Sequence, residues 1–196
     1  MKINQTKLGA VIIEGHVQGL SNVRSLGEKG IPVIVVDKVN CIARYSKYCK
    51  KYFKCPDFAS DEFSSFLIEL CKKEELDGWV LIPSNDHAVK SISENKNKLK
   101  KYYKIITDDY SIISKIYNKK ELLQIAEKVN VPIPKTFYPG EKSINEFSLK
   151  FPVIIKGIEG LTFYKTFNTK VMIAENITEL TNKLSLIEAR MSIKKD

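Results

Sequence analysis

The stretch that decides the fold is Leu8-Gly-Ala-Val-Ile-Ile-Glu14, followed by Gly15-His-Val-Gln-Gly19 and then, after a helical interval, by Pro32-Val-Ile-Val-Val-Asp37. Both outer runs are short, apolar without alternation and rich in β-branched residues, which predicts strands buried on both faces. Between them Leu20, Val23, Leu26 and Gly27 fall at helical spacing, and Gly30 supplies a helix stop. Strand, glycine-bearing turn, helix and strand make one βαβ unit, with a right-handed crossover expected.

The same alternation continues outward. Lys51–Cys55 reads as a third strand, and Asp61–Glu75 as a helix whose apolar face is Phe63, Phe66, Leu67, Leu70 and Cys71. Trp79-Val-Leu-Ile-Pro83 is a fourth strand, with Ser84, Asn85 or Asp86 available to cap the next helix, and Lys104–Thr107 a short fifth. The expected class is α/β, an open parallel sheet over residues 1–110. Ligands of such sheets bind outside the carboxyl ends of the strands, here the loop Gly15–Gly19, Asp37 and Ser84–His87.

The pattern changes at Asp108-Asp109, a helix start. A helical stretch runs to Val129, broken near Asn118 and ended by Pro132 and Pro134. Phe151–Lys156 and Thr169–Glu175 read as strands, joined by Gly157–Asn168 like a long hairpin, and Asn176–Ala189 closes as a helix. The domains expected are therefore 1–110 and 111–196.

Composition narrows the function classes. At about 150 residues per domain, 196 residues mean one large or two small domains. A hydrophobic content of 43% with 28% charged residues excludes a mostly disordered chain. No apolar run approaches the ~18 residues of a membrane helix, and Leu8–Ile13 is too short for the core of a signal peptide. The expectation is a cytoplasmic protein with no membrane partner. Cys41, Cys49, Cys55 and Cys71 contain no C-x-x-C pair, so they read as reduced thiols and no metal site is assigned.

The chain has 32 basic and 23 acidic residues, a net charge of +9, and residues 1–110 hold 18 and 14 of them. The excess is thus spread along the chain. The densest cluster, five lysines from Lys96 to Lys104 around Tyr102 and Tyr103, fits a solvated helix end and turn better than a phosphate-tracking patch. No nucleic-acid partner is expected, whereas a small anionic ligand suits the balance.

Several residues carry two readings. Gly15-x-x-x-Gly19 can cradle a phosphate or carboxylate at a helix N-terminus, or serve a tight turn needed for packing. It is not G-x-G-x-x-G, although Asp37 stands 22 residues on, where a ribose-binding acid of a dinucleotide enzyme would sit. Asp86 is a helix cap or a substrate group. His16 and His87, the only histidines, either meet a substrate anion or make structural hydrogen bonds. Lys156 ends an apolar strand and is followed at once by Gly157, so it is either a rigidly held point charge for phosphate or an edge-strand surface lysine. The stretch from Gly157 to Lys165 can fold over phosphates as a flap.

Taken in order, Asn118-Lys119, Ala126, Val131-Pro-Ile-Pro-Lys-Thr136 and Phe151-Pro-Val-Ile-Ile-Lys156-Gly157 resemble the ATP-grasp superfamily. The branch is that of the carboxylate–amine ligases similar to D-aspartate ligase and to the carbamoyl-phosphate synthase large chain. Ile42-Ala-Arg-Tyr-Ser46, Ile82-Pro-Ser-Asn-Asp86, Phe163-Tyr-Lys165 and Lys170-Val171 also look like this branch, so the resemblance covers roughly residues 8 to 185. It implies a Rossmann-like pre-ATP-grasp domain followed by the first, incomplete subdomain of an ATP-grasp α+β fold.

It also implies a chemistry. ATP activates a carboxylate as an acyl phosphate, which an amine then attacks, with magnesium as second cofactor and a small carboxylate and a small amine as substrates. Lys119 stands where the family places its first phosphate lysine, after Asn118 instead of the usual aspartate. Lys156 matches the second, near the α-phosphate and adenine, and Gly157 and Gly160 open a flap poorer in glycine than usual. Gly15, Gly19, Asn85 and Asp86 are the candidate substrate-binding residues, and no catalytic residue is assigned. The family's magnesium ligands come after the region matched, whereas this sequence stops at Met191-Ser-Ile-Lys-Lys-Asp196. Glu175, Glu179 and Glu188 fit helix ends and a solvated face. The expectation is a truncated or split form that binds ATP weakly without turnover, with a second polypeptide or another copy as partner. The alternative is a non-catalytic module binding a nucleotide or small acid in its first domain.

Overall fold

The computed structural model describes residues 8–139, 148–158 and 160–191. Glu159, inside the expected flap, and residues 192–196 lie outside the described residues. The chain divides into two compact units, Met1–Tyr117 and Asn118–Asp196.

The first unit is built on a five-stranded parallel sheet in the order β3-β2-β1-β4-β5. The strands are β1 (Ala10–Ile13), β2 (Val33–Asp37), β3 (Cys49–Lys54), β4 (Val80–Pro83) and β5 (Lys104–Ile105). The helices are α1 (Val17–Glu28), α2 (Glu62–Glu74), α3 (Asp86–Glu94), the single turn α4 (Lys96–Leu99) and α5 (Tyr110–Tyr117), with a 3-10 turn at Ile42–Tyr45. The Rossmann-like α/β class read from the sequence is what the chain forms.

Every residue of β1 and β2 is buried, because the sheet is covered on both faces. Val11, Ile13, Ile34 and Val36 pack with Phe63, Leu67 and Cys71 of α2 and Ile92 of α3. Ala10, Ile12, Val33 and Val35 pack on the other face with Val23 of α1 and with Ala43. This two-sided burial explains the unbroken apolar runs, each such side chain contributing about 1.5–3 kcal/mol on leaving water. Among the lysines from Lys96 to Lys104, Tyr103 is core, its hydroxyl donating 2.8 Å to the Leu67 carbonyl. Lys96 pairs with Asp109 at 2.8 Å.

In the second unit α6 (Lys119–Lys128) precedes an antiparallel pair, β6 (Val153–Ile155) and β7 (Met172–Ala174), with α7 (Gly160–Phe167) between them and α8 (Ile177–Glu188) last. The break expected near Asn118 is real, since Asn118 Oδ1 accepts from the Lys120 and Glu121 N–H groups at 3.0 and 3.2 Å. The hairpin-like link Gly157–Asn168 is corrected. Most of it is the helix α7. Phe163 and Phe167 stand four residues apart, with ring centroids 4.9 Å apart. With Ile155, Met172, Ile187 and Met191 they form the core of the second unit. Burying an aromatic pair at helical spacing outweighs the looseness suggested by Gly157 and Gly160. Among the described residues no helix is long and apolar enough to cross a membrane.

Candidate functional site

The chain leaves β1 toward β2 and later returns to β4 on the other side of β1, so the crevice of the first unit opens at the carboxyl ends of β1 and β4. The ladder ends there. The Ser84 N–H donates to the Ile13 carbonyl at 2.9 Å, and the Glu14 N–H to the Val36 carbonyl at 2.8 Å. Glu14 then turns left-handed, at φ 69°. For a residue with a Cβ this costs roughly 1–2 kcal/mol, which the burial of the strand before it offsets.

The turn that follows is pinned on both sides. Gly15 donates its N–H to Asp37 Oδ2 at 2.8 Å, and its carbonyl accepts from the Ala43 N–H at 3.0 Å. A Cβ at Gly15 would lie 2.3 Å from Cys41 Sγ, and one at Gly19 would lie 2.0 Å from the Glu14 carbonyl oxygen. Both glycines therefore let the chain pass close to its neighbours. Asp37 is 1% exposed, and its other oxygen accepts from the Val39 N–H at 3.2 Å. Its carboxylate anchors the turn and does not face a ribose, which removes the dinucleotide reading.

Across the crevice, Asn85 is the cap of α3, its Oδ1 accepting from the Ala88 N–H at 2.7 Å. Asp86 is the first helical residue, exposed, where a negative charge suits the helix dipole. Burial is the main influence on Glu14 and pushes its carboxyl above the usual range. His16 and Asn85 oppose that push, Asp37 adds to it and Lys38 weakly opposes it. Lys38 is itself paired with Asp57 at 2.8 Å and holds that carboxyl low. The Asn22 side chain reaches Ser84 Oγ at 3.4 Å, and His87 Nδ1 lies 3.4 Å from the Tyr117 hydroxyl. Glu14 and Asn22 were not singled out from the sequence. The signal available for Glu14 was an acidic residue closing an otherwise wholly apolar strand.

In the second unit Lys119 opens α6, and its ammonium donates to the Ile158 carbonyl at 3.4 Å. A Cβ on Gly160 would lie 3.1 Å from the same nitrogen. Lys156 follows β6 and is exposed, whereas Gly157 is buried. The fold thus brings Lys119 to the segment running from Lys156 to Gly160, the four residues read as ATP-facing. Among the described residues no cluster of three His, Cys, Asp or Glu side chains can hold a metal. Glu179 is engaged by Lys183 at 3.0 Å and by the Glu175 N–H.

No protein-family model matches the chain. It is 24% identical over 162 residues to a D-aspartate ligase of Enterococcus faecium (strain Aus0004), covering 66% of this chain and 38% of that protein. Among solved structures it is similar in fold to an L-amino acid ligase from Bacillus licheniformis, with TM-score 0.64, 12% identity, and coverage of 93% of this chain and 43% of that one. It is also similar to the ADP complex of N5-carboxyaminoimidazole synthetase from Staphylococcus aureus, with TM-score 0.64, 18% identity and coverage of 96% and 48%. The chain spans less than half the length of these relatives. Their likeness supports the relationship read from its motifs, to the amino-terminal part of ATP-grasp carboxylate–amine ligases.

Proposed function

We propose that this chain forms the amino-terminal part of an ATP-dependent ligase that joins a small carboxylate to a small amine. The observation that carries the reading is Lys119, whose ammonium stands beside Gly160 at the N-terminal end of α7. A cation there opposes the helix dipole, and among the described residues the ammonium donates to the Ile158 carbonyl at 3.4 Å. A polyphosphate bound between Lys119, Lys156 and the backbone around Gly157 and Gly160 relieves that opposition.

In the reaction proposed, a carboxylate oxygen attacks the terminal phosphorus of ATP and the bond to ADP breaks. The amine nitrogen then attacks the acyl carbon, inorganic phosphate leaves, and the nitrogen loses a proton. The lysines of this chain neutralise the phosphate oxygens and hold them in line. Gly15, Gly19, Asn85 and Asp86 mark the edge of the first unit that faces a substrate. Magnesium accompanies ATP in this chemistry. The carboxylates described here do not form a set that fits it, so its ligands are assigned to residues other than these, on a second polypeptide or further along a longer one. The setting proposed is the cytoplasm.

Equilibrium titration of the purified chain with ATP tests the reading. Lys119→Ala and Lys156→Ala are each expected to weaken binding about tenfold, the ~1.4 kcal/mol of one charge-assisted contact. Unchanged affinity in both variants would leave a binding module whose nucleotide or acid site lies in the first unit.

A further inference from the structure

We infer that α2 is the surface through which two copies of this chain associate, helix against helix and antiparallel about a two-fold axis. The inference is independent of the ligase reading. Phe63, Leu67, Leu70 and Cys71 turn one face of α2 to the core. The opposite stripe is acidic where the helix begins, at Asp61 and Glu62, and basic where it ends, at Lys72 and Lys73. Ser65, Phe66 and Glu69 lie between them at helical spacing, and all of the stripe is exposed except Phe66, which is half-buried. Acid at the start and base at the end suit the helix dipole. The dipole does not account for the middle of the stripe. Glu69 has lysines three and four residues on, the spacing at which ion pairs form within a helix. Yet among the described residues neither Glu69 nor any of the four end charges enters an ion pair. Lys72 stands over the Tyr102 ring instead, at 5.6 Å from its centroid.

At the acidic end the surface is concave. A cavity of about 460 Å³ is lined by Pro56, Phe66 and Ser65 together with the carboxylates of Asp61, Glu62 and Glu69. An apolar wall beside carboxylates fits an aliphatic stem that ends in an ammonium, which is a lysine side chain. A second copy brings two such lysines in register. With the axis beside Phe66, Asp61 faces Lys73 of the second copy, Glu62 faces Lys72 and Ser65 faces Glu69, each pair equally far from the axis. The two-fold repeats every contact, so four ion pairs surround two Phe66 rings at the centre. Exposed ion pairs are individually weak, and one helix from each copy falls below the ~1,200 Å² of a standard interface. The dimer is therefore weak and depends on salt.

Sedimentation equilibrium of the full chain, at concentrations up to about 1 mM, reads the association. At about 50 mM salt the mass is expected to rise from one copy toward two, and at about 500 mM to stay near one copy, because the Debye length then falls to roughly 4 Å. Asp61→Lys with Glu62→Lys makes both ends of the stripe basic, and Lys72→Glu with Lys73→Glu makes both ends acidic. Each double variant is expected to self-associate at least tenfold more weakly than the parent. Mixed together they are expected to pair at least as tightly as the parent, because every end then meets its opposite. Circular dichroism checks that both remain folded. Reversal at the acidic end also opposes the helix dipole, so Lys72→Gln with Lys73→Gln, at exposed positions, gives a second reading and is expected to weaken the parent dimer about fivefold. A parent chain that stays monomeric at low salt overturns the inference. So does association that salt and the glutamine variant leave unchanged, or failure of the folded reversed variants to pair with each other. Polylysine bound by a chain that remains monomeric would give the cavity to another partner, and overturns the pairing of copies as well.

Discussion

Glu14 shows how a single residue connects strand register, turn geometry and electrostatics. Its carboxyl is held above the ordinary value of 4.5 mainly by burial. Below that value the group is protonated in both folded and unfolded chains and has no effect on stability. As pH rises, the unfolded chain ionises first, so stability falls across the interval between the ordinary and the raised value and stays lowered at neutral pH. Glu14→Gln carries no titrating group and escapes this fall. Urea unfolding of the two proteins from pH 4 to pH 7, followed by fluorescence of the buried Trp79, is expected to show the variant gaining on the parent as pH rises. A difference independent of pH would mean that Glu14 is not destabilised by its surroundings. The sequence already placed Gly15, Gly19 and Asn85 at this edge, because glycine spacing and capping residues are local signals. It did not disclose that Asp37 points inward or that Glu14 is left-handed. Both depend on how the 3-10 turn at Ile42–Tyr45 and the β4 end close around the strand, and no local pattern encodes that.

At the scale of the element, α7 carries the most information. Gly157 and Gly160 suggested a flap over phosphates, whereas Phe163 and Phe167 carry the helical period, Phe163 buried and Phe167 packed against it. The two signals conflict, and the energy scale decides between them: truncating a buried Phe costs about 3–5 kcal/mol, against roughly 1 kcal/mol for a glycine in a helix. Phe163→Ala is therefore expected to destabilise the second unit by about 3–5 kcal/mol. Trp79 is the only tryptophan and lies in the first unit, so far-UV circular dichroism of the variant should show an earlier transition that Trp79 fluorescence does not report. An equal shift of the fluorescence transition would show that the two units unfold as one. The strands of the first unit posed no such conflict. Their β-branched runs, bounded by Gly15, Gly30 and Gly78, point to the same structure at every level.

At the scale of the whole molecule, the net charge of +9 is not a single field. Lys38, Lys51, Lys96 and Lys183 are taken up by carboxylates of the fold. Lys119 donates to the Ile158 carbonyl at 3.4 Å, and Lys156 is exposed on the adjoining segment. The fold class and the order of elements in the first unit were legible from the sequence because they follow from hydrophobic period and glycine punctuation. The grip of Lys119 on the segment after β6 was not read from the sequence, since residues 119 and 158 meet through tertiary packing.

The most direct test of that grip is an amide 15N–1H NMR titration of the full chain with ATP. Shifts are expected to concentrate at Lys119–Glu121, Lys156–Ile158 and the first turn of α7, and to disappear in Lys119→Ala. Shifts concentrated instead at Gly15–Leu20, or none at saturating ATP, would contradict the assignment of these lysines to nucleotide phosphate.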